Sequence, residues 1–408
     1  MRIGIVTQWA DCGAGYVSRA YQETLSAEND VFIFARGSRR QSTGSIWDQP
    51  RVHWAGPHPC VSGFKLAEFR RWVHHNGIQV VLFNEQRWWE GVLESQRLGL
   101  LTGAYIDYYT AETVPLFRLY DFLICNTLRH RSVFSDHRQC QYVPWGTDVE
   151  LFCPSGKSEQ PVPRVKFFTN SGTGGFNART DPSLDRRGTE FVIAAMAAVN
   201  GDCELIIHSQ CSLEACPENW KDAVRRDSRV RFIEKTVPPP GLYSLGTVYV
   251  YPSRLDGIGL TLPEALASGL PAITTASPPM TEFVEDGING RTVRVERIAC
   301  RHDGYLWPET LVDVHDLARV MQDYVDNPEL VSQHGLRARE RAVQSLNWKR
   351  NSARLSEIVG SQSKLVDLNA QEFSHLLSNA RRYDRVRQPT PMQQCLLGLK
   401  RYFRNYWW

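Results

Sequence analysis

The chain has 408 residues, with 47 basic against 44 acidic side chains and a formal net charge of +3. A chain of this length is expected to form two or three domains of ordinary size, each able to bury a core. Its hydrophobic share of 42% is that of a globular protein, and no apolar run reaches the length that spans a bilayer. The ten cysteines are scattered and mostly lie within apolar stretches, which indicates reduced residues rather than a disulfide framework.

In chain order, the first half predicts strands that alternate with helices, which is typical of a doubly wound α/β domain. The opening strand is not a signal peptide, because Gln8, Asp11 and Gly13 interrupt any apolar run, so we expect a cytoplasmic chain. A polar, proline-bearing linker follows this half at 155–164. The predicted strands are 3–8, 31–34, 80–83, 103–106, 122–125 and 141–143.

The second half repeats the alternation and contains the most informative segment of the chain. A buried strand over 247–251 and a helix over 261–268 enclose a loop that holds Asp256, Gly257 and Gly259. In an open parallel sheet, ligands bind outside the carboxyl ends of the strands, and glycines let the backbone approach them. The other predicted strands are 165–169, 204–208, 230–233 and 272–275, followed by helices from about 312 to 360.

This segment resembles the signature of the large retaining glycosyltransferase family with the GT-B fold, usually called family 4. The family's hallmark is two glutamates separated by seven residues, and here Asp256 takes the first place and Glu264 the second. Residues 280–290 are similar to the family's closing element, and 144–154 to the segment that leaves its N-terminal domain. The resemblance implies two Rossmann-like doubly wound domains that face each other across a cleft.

The resemblance also implies a division of the chain. The N-terminal, acceptor-side domain takes 1–154, the linker 155–164 and the nucleotide-sugar donor domain 165–345. A helix over 346–360 returns to the first domain, and 361–408 is an extension.

The function implied is a retaining hexosyltransferase that moves a sugar from a nucleotide-diphosphate donor, UDP- or GDP-linked, to a hydroxyl of a glycan, glycolipid or glycoconjugate. Such enzymes need neither a bound metal nor a cofactor. Cys211 and Cys216, with His208 nearby, come closest to a metal pattern, but no second pair at ligand spacing completes a site. A sugar phosphorylase, a nucleotide-sugar epimerase and a catalytically degenerate domain that binds a glycan or a partner stay open as alternatives.

On the donor side, the resemblance implies that Glu264 accepts hydrogen bonds from the ribose hydroxyls of the nucleotide. It also implies that Asp256 holds the hydroxyls of the transferred sugar. Arg187 matches the family's lysine that holds the departing diphosphate, and an arginine offers a bidentate fork to phosphate oxygens. Either Arg186 or Arg179 supplies a second cation, and the sequence does not choose between them. The backbone positions implied in donor binding are Gly257, Ile258, Gly259 and Leu260 in the loop, and Gly13, Ala14 and Gly15 in a glycine-rich turn after the first strand.

On the acceptor side, Asp107 or its neighbour Tyr108 stands where many family members have a histidine close to the transferred sugar. A second candidate is the polar and aromatic cluster at 83–90, in which Asn84 or Glu85 orients an acceptor hydroxyl and Trp88 stacks on a sugar face. Glu85 is also a candidate base. A helix start at which Trp88 simply packs on the core is the equal alternative.

The extension at 361–408 holds eight basic residues against three acidic ones, an excess of five positive charges. Its last residues alternate basic and aromatic side chains, which suits an interfacial helix on an anionic membrane. A helix that docks on the N-terminal domain, or on a second subunit, is the other interpretation. A nucleic-acid partner is not expected, because the positive charge is confined to the tail and no known binding module is recognised.

Overall fold

Two parallel β-sheets organise the chain, as the alternation of strands and helices predicts. The computed structural model describes residues 1–36, 46–60, 62–155, 164–174, 185–301 and 304–366, together with a few residues between 371 and 379. Strand and helix labels below follow chain order.

The first sheet has seven parallel strands in the order β3-β2-β1-β4-β5-β6-β7. The strands are β1 (Arg2–Gln8), β2 (Asp30–Arg36), β3 (Val52–Trp54), β4 (Val80–Asn84), β5 (Leu101–Tyr105), β6 (Phe122–Cys125) and β7 (Cys140–Tyr142). The helices with them are α1 (Gly13–Leu25), α2 (Leu66–Asn76), α3 (Glu90–Arg97) and α4 (Leu128–Phe134). The six predicted strands are confirmed; β3 was not predicted, because its three half-buried residues at the sheet edge show no hydrophobic pattern.

The second sheet has six parallel strands in the order β10-β9-β8-β11-β12-β13. They are β8 (Val165–Gly172), β9 (Cys203–Ser209), β10 (Val230–Glu234), β11 (Val248–Tyr251), β12 (Ala272–Thr275) and β13 (Gly290–Val293). The helices are α5 (Thr189–Met196), α6 (Glu218–Arg226), α7 (Thr261–Ala267), α8 (Met280–Phe283), α9 (Val314–Asp326), α10 (Glu329–Ser345), α11 (Trp348–Asn351) and α12 (Leu355–Gly360).

The strand order locates the binding edge of each sheet. In the first sheet β1 lies between β2 and β4, and in the second sheet β8 lies between β9 and β11. The chain direction of the crossovers reverses at these two strands, and ligands of doubly wound sheets bind in the crevice at the carboxyl ends of such strands. The loops that follow β1, β4, β5, β8 and β11 are therefore the ones to inspect for a site.

A two-stranded antiparallel hairpin, which the sequence did not predict, is inserted after the second sheet. It consists of β14 (Val295–Ala299) and β15 (Glu309–Val312). Its tip carries Tyr305, which forms a β-bridge to Thr110 of the first domain and is 8% exposed within that domain's apolar cluster. The hairpin thus links the second domain to the first.

After α10 the chain returns to the first domain. The indole nitrogen of Trp348 donates to Thr24 Oγ1 at 3.1 Å, and its ring packs on Trp145 with 4.6 Å between centroids. Leu355 and Val359 belong to the apolar cluster that α1 forms with the first sheet. Helices α11 and α12 therefore lie on the first domain.

The described part of the extension continues along the same domain. The Lys364 ammonium lies 3.2 Å from the buried Asp121 carboxylate, which also accepts the amides of Leu365 and Val366 at 2.8 and 3.0 Å. Leu376 is buried in the first domain's apolar cluster. The basic and aromatic residues from 380 onward lie outside the described residues. Within the described part of the chain, no helix is long and apolar enough to cross a membrane.

Candidate active site

The β11–α7 loop, residues 252–260, leaves a central strand of the second sheet and faces the first domain. The two carboxylate oxygens of Asp256 accept hydrogen bonds from the Tyr251 hydroxyl at 2.5 Å and from the Gly259 amide at 3.0 Å. Gly259 has a φ of +75°, which glycine adopts without strain. Asp256 therefore fixes the shape of the loop, and the Gly259 amide is already engaged inside it rather than directed at a ligand.

Glu264 lies one turn into α7 and is half-buried. The Tyr243 hydroxyl donates to its Oε2 at 2.6 Å. Burial raises the pKa of Glu264 to about 7, while the Tyr243 hydrogen bond and the positive charge of Arg187 act to lower it. With a pKa of about 7, this carboxyl group is close to half-ionised at neutral pH. Hydrogen bonds donated by a ligand to this group would favour its ionised form.

Arg187 precedes α5 and reaches toward the same loop. Its Nη1 donates to the Asn170 carbonyl at 2.9 Å, and its amide donates to the Asp185 carboxylate at 3.1 Å. Gly172 leaves room for the guanidinium, since a Cβ there would lie 3.0 Å from Arg187 Cζ. Burial acts to lower the pKa of Arg187, but nearby phenols and carboxylates, Asp256 among them, raise it above its ordinary value. The side chain is therefore a fixed cation beside the loop.

Gly188 and Arg186 tie this segment to the β11–α7 loop. A Cβ at Gly188, whose φ is +72°, would lie 2.2 Å from the Pro252 carbonyl oxygen, so only glycine permits this approach. The Arg186 carbonyl accepts two hydrogen bonds from the loop, at 2.8 and 3.1 Å, and its side chain is exposed. The charge of Arg186 acts on the Asp107 carboxyl group of the opposite domain. Arg179, the alternative, lies outside the described residues.

The predicted glycine-rich turn lies on the other side of the cleft, where α1 begins. A Cβ at Gly15 would lie 2.0 Å from the Ala10 carbonyl oxygen, so this turn requires glycine. A Cβ at Gly13 would lie 3.6 Å from Leu260 Cδ1, which shows that the turn faces the β11–α7 loop. The Ala14 carbonyl accepts hydrogen bonds from two side chains of the first domain, at 2.7 and 3.1 Å.

Apolar side chains of the β11–α7 loop cross to the first domain. Ile258 is 6% exposed and, with Leu260 beside it, joins the apolar cluster of α1 and the first sheet. Leu255 joins the other apolar cluster of the first domain. The two domains are thus in direct contact through this loop.

A carboxyl pair faces the loop from the first domain. Glu85 follows β4 with a φ of +48°, which is uncommon for a residue with a side chain, and Asp107 follows β5. Burial raises the pKa of Asp107 well above its ordinary value; the charge and hydrogen bond of Glu85 raise it further, and Arg186 opposes them. Burial and the neighbouring acid therefore both favour the protonated form of the Asp107 carboxyl group. A Cβ at Gly257 would lie 2.1 Å from Asp107 Oδ1, so this carboxyl group contacts the backbone of the loop that holds Asp256.

Asn84 and Trp88, two of the weaker acceptor candidates, lie beneath the cleft surface. Asn84 is 2% exposed and its amide donates to the Ala14 carbonyl and to Ser18 Oγ, both at 3.1 Å, so it supports the start of α1. Trp88 is 5% exposed and packs edge-on against Phe64 with 5.1 Å between centroids. Trp88 therefore packs in the apolar core of the first domain, as the alternative interpretation of this cluster expects.

Tyr108, the third weaker candidate, is half-buried beside the carboxyl pair. The Arg87 guanidinium lies 3.7 Å from the centre of its ring, and Tyr305 stacks on it at 5.3 Å with an interplanar angle of 18°. Protein groups therefore pack on the Tyr108 ring, and its role at the acceptor stays a prediction.

Two residues that the sequence did not single out cross the cleft. Arg129, in the first turn of α4, donates to the backbone carbonyls of Asp256 and Pro278. Tyr305, at the tip of the hairpin, donates through its hydroxyl to the Asp107 carbonyl at 3.1 Å. Neither residue lies in a repeated or recognisable pattern, so only the three-dimensional contacts identify them.

The nearest approach to a metal pattern does not assemble into a cluster. The ring nitrogens of His208 lie 2.8 Å from Asn170 Oδ1 and 2.7 Å from the Lys235 carbonyl, and the Cys216 thiol donates to a backbone carbonyl of its own turn. Across the described ranges, no group of three or more His, Cys, Asp or Glu side chains could hold a metal ion.

Comparison with known sequences adds a family match and distant relatives. Residues 174–301 match the family model for glycosyl transferases group 1. The chain is 22% identical over 307 residues to the GDP-mannose-dependent alpha-(1-6)-phosphatidylinositol dimannoside mannosyltransferase of Mycobacterium tuberculosis, covering 73% of this chain and 72% of that protein. It is 31% identical over 127 residues to the D-inositol 3-phosphate glycosyltransferase of Streptomyces coelicolor, covering 30% of this chain and 24% of that one.

Comparison with solved structures concerns the fold. Sucrose-phosphate synthase from Thermosynechococcus elongatus has a TM-score of 0.67 at 17% identity, over 88% of this chain and 98% of the other. Anabaena Alr3699/HepE in complex with UDP and glucose has a TM-score of 0.66 at 14% identity, over 88% and 100%. Together with the two sheets, these likenesses confirm the predicted GT-B fold.

Proposed function

The chain carries a glycosyltransferase group 1 domain on a GT-B fold, and on that premise we propose that it transfers a hexose from a nucleotide-diphosphate sugar to a hydroxyl acceptor with retention at the anomeric carbon. One observation carries the proposal. The β11–α7 loop, beside which Arg187 and Glu264 lie, contacts the Asp107 carboxyl group of the opposite domain. A nucleotide sugar bound between the domains would contact the Arg187 cation with its diphosphate and the Glu264 carboxyl group with its ribose. Asp107 on the opposite domain would then lie beside the acceptor.

In this proposal the second domain binds the donor. Glu264 accepts hydrogen bonds from the ribose hydroxyls, because an ionised carboxylate offers two acceptor oxygens. Arg187, with Arg186 beside it, binds the diphosphate. Asp256 holds the loop in the shape that receives the transferred sugar, since both its oxygens are bonded within the second domain. The first donor to test is GDP-mannose, because two of the relatives are named as GDP-mannose-dependent mannosyltransferases; UDP-glucose is the second, since one similar structure is a complex with it.

Transfer in this scheme needs no covalent intermediate on the protein and no metal ion. The acceptor hydroxyl oxygen forms a bond to the anomeric carbon on the face from which the diphosphate departs, and a phosphate oxygen takes the hydroxyl proton. Arg187 stabilises the negative charge that develops on the diphosphate, which is the type of term that usually dominates such catalysis. Losing one such clamp costs about 3 kcal/mol of barrier. The Glu85–Asp107 pair orients the acceptor hydroxyl against the sugar.

We propose a cytoplasmic location, and for the tail beyond residue 380 a contact with an anionic membrane surface, because its basic and aromatic residues suit an interfacial helix. Contact with a second subunit is the alternative. Co-sedimentation of the full chain with phosphatidylserine vesicles and with neutral vesicles tests the proposal. Equal recovery in both pellets contradicts the membrane contact, and a dimeric mass in solution then favours the second subunit.

Thermal unfolding with nucleotides tests the donor site most directly. A ligand at about 100 times its dissociation constant adds roughly 2.7 kcal/mol to the free energy of unfolding, which is several degrees in melting temperature. GDP or UDP is expected to raise the melting temperature of the wild type, and Glu264→Ala and Arg187→Ala to lose that shift. Arg226→Ala is the matched control, because the Arg226 side chain is 80% exposed on the same domain. If neither nucleotide shifts the wild type, the interpretation as a degenerate binding domain replaces the transferase.

A further inference from the structure

Two side chains cross the cleft in opposite directions, and each ends on the backbone of an acidic residue in the other domain. Arg129 belongs to the first domain and reaches Asp256 in the second. Tyr305 belongs to the second domain and reaches Asp107 in the first. Both contacts end on backbone carbonyls rather than on the carboxylate groups, so we assign them a role in placing these two acids.

The Arg129 contact is buried and has several parts. The side chain is 6% exposed; Nη1 donates to the Pro278 carbonyl at 2.9 Å and the other Nη donates to the Asp256 carbonyl. The backbone amides of Leu128 and Arg129 donate to the Glu282 carboxylate at 2.7 and 3.0 Å. One planar guanidinium thus holds two separate segments of the second domain, a geometry that a lysine cannot reproduce.

The Tyr305 contact is made by the tip of the β14–β15 hairpin. The ring stacks on Tyr108, and its hydroxyl donates to the Asp107 carbonyl at 3.1 Å. The hairpin is held there by two further bonds to Tyr109, one from the Leu306 amide at 3.0 Å and one from the indole nitrogen of Trp307 at 2.6 Å. Of these side-chain contacts, only the Tyr305 hydroxyl bonds directly to one of the two acids.

We propose that Arg129 and Tyr305 are reciprocal positioning residues, which hold the backbones of Asp256 and Asp107 at their working separation across the closed cleft. The inference rests on the proposed transfer reaction and adds to it that the reacting geometry requires both domains to be docked. Because the Asp107 carboxyl group contacts the loop backbone at Gly257, a small displacement on either side opens this contact. Misplacement of reacting groups by about 1 Å is enough to cost about 100-fold in rate.

The variants Tyr305→Phe, Arg129→Lys and Arg129→Ala test the kinetic part, with release of GDP from GDP-mannose, or of UDP from UDP-glucose, as the assay. We expect kcat to fall about tenfold or more for Tyr305→Phe and for Arg129→Ala, with the donor KM changed less than about threefold. Arg129→Lys is expected to restore only part of the loss, because an ammonium does not span two carbonyls. A role in donor affinity would instead raise KM and leave kcat unchanged, and that result overturns the proposal.

Trp307→Phe is the matched control. It removes one hydrogen bond between the same hairpin and the same domain, which ends on the Tyr109 side chain and not on an acid of the cleft. Phenylalanine keeps an aromatic ring beside Arg129, whose guanidinium carbon lies 5.4 Å from the centre of the Trp307 ring. We expect its kcat to stay within about twofold of the wild type. An equal loss in Trp307→Phe and Tyr305→Phe would mean that the hairpin acts only by joining the domains, which contradicts specific positioning of Asp107.

Hydrogen exchange in the ligand-free full chain tests the same proposal without a donor. Amide exchange is expected to accelerate at 106–110 in Tyr305→Phe and at 256–260 in Arg129→Ala, and in neither segment for Trp307→Phe. Unchanged exchange in both variants overturns the proposal whatever the kinetics are. If the wild type releases nucleotide from neither donor, the proposed function fails, and this exchange pattern alone decides whether the two residues position the acids.

Discussion

The two sides of the cleft are built in different ways. On the side of the second domain, Asp256, Gly257, Gly259 and Glu264 lie in one continuous strand–loop–helix segment. On the side of the first domain, the glycine turn, Glu85 and Asp107 come from loops after β1, β4 and β5, which only the parallel sheet brings together. The residue spacing within one strand–loop–helix segment therefore predicts which side chains lie close together. Residues from three separate loops come together only through the fold of the whole domain.

The electrostatics of the two sides differ as well. Glu264 lies near a fixed cation, Arg187, and its pKa is raised only to about 7. Asp107 lies against another acid, Glu85, and its pKa is raised well above its ordinary value by burial and by that acid. Near neutral pH the second-domain side can therefore change its charge through Glu264, whereas on the first-domain side burial and Glu85 favour the protonated form of Asp107.

The largest effect is expected where the two sides touch, and Gly257→Ala is the change that breaks the contact. The added Cβ would lie 2.1 Å from Asp107 Oδ1, so the loop or the acid must shift. We expect the release of GDP from GDP-mannose to slow about 100-fold, the scale of a 1 Å misplacement of reacting groups. The melting temperature, measured in parallel, is expected to change little.

Gly360→Ala is the control for this change, because its nearest neighbour is the flexible end of Met1, 3.4 Å from the added Cβ and far from the cleft. A Gly257→Ala protein with wild-type turnover would show that the two sides separate before the reaction. The contact between Gly257 and Asp107 would then exist only in the resting protein.

Titration of Glu264 is expected to change donor affinity about tenfold, which tests the electrostatic difference between the two sides. If only the ionised carboxylate binds ribose, affinity for GDP-mannose rises about tenfold from pH 6 to pH 8. The stability of the protein without ligand depends on pH in the opposite direction. Because the folded pKa is raised from 4.5 to about 7, the stability that the protonated group contributes is complete below about pH 4.5 and is lost as pH rises through 7.

Calorimetric titration of wild type and Glu264→Gln at three pH values measures this effect. Glutamine keeps the shape of the side chain but does not titrate, so its affinity is expected to be flat over the same range. Asp107→Asn serves as the comparison from the first-domain side and is expected to retain the wild-type pH dependence. If the wild-type affinity is independent of pH, a group other than Glu264 binds the ribose.

The same contrast explains what the sequence could predict. Six of the seven strands of the first sheet, five of the six strands of the second, and the helix that begins at Thr261 follow from hydrophobic runs, and the linked motifs predict the GT-B fold. Edge strand β3 and the hairpin carrying Tyr305 have weak or irregular patterns and were not predicted. Arg129 acts through backbone carbonyls of another domain, and such contacts leave no mark on the local sequence.

The pKa of Glu264 also lay beyond the sequence, because its value depends on burial and on Tyr243, which is distant along the chain. The roles of the site residues in catalysis stay predictions. What the structure adds is their placement: the charges of Glu85, Arg186 and Asp256 all act on Asp107, and Asn84 is buried.

The smallest effect on turnover is expected from Trp88→Phe, which tests whether this aromatic side chain belongs to the acceptor side at all. Trp88 is 5% exposed and packs on Phe64 and on His58, at 5.1 and 4.8 Å between centroids. Removing part of a buried ring leaves a cavity, so the free energy of unfolding should fall by about 1 to 3 kcal/mol. Turnover should stay within about twofold.

Trp72→Phe makes the comparison sharper, since Trp72 is also 5% exposed in the same apolar cluster but packs on Phe34 beside the sheet, away from the cleft. Both variants are expected to lose similar stability in urea unfolding and to keep wild-type turnover. If Trp88→Phe alone slows transfer to an added acceptor while release of GDP in water is unchanged, its ring contacts the acceptor. The first-domain side would then extend beneath the carboxyl pair, into a pocket that opens only when an acceptor binds.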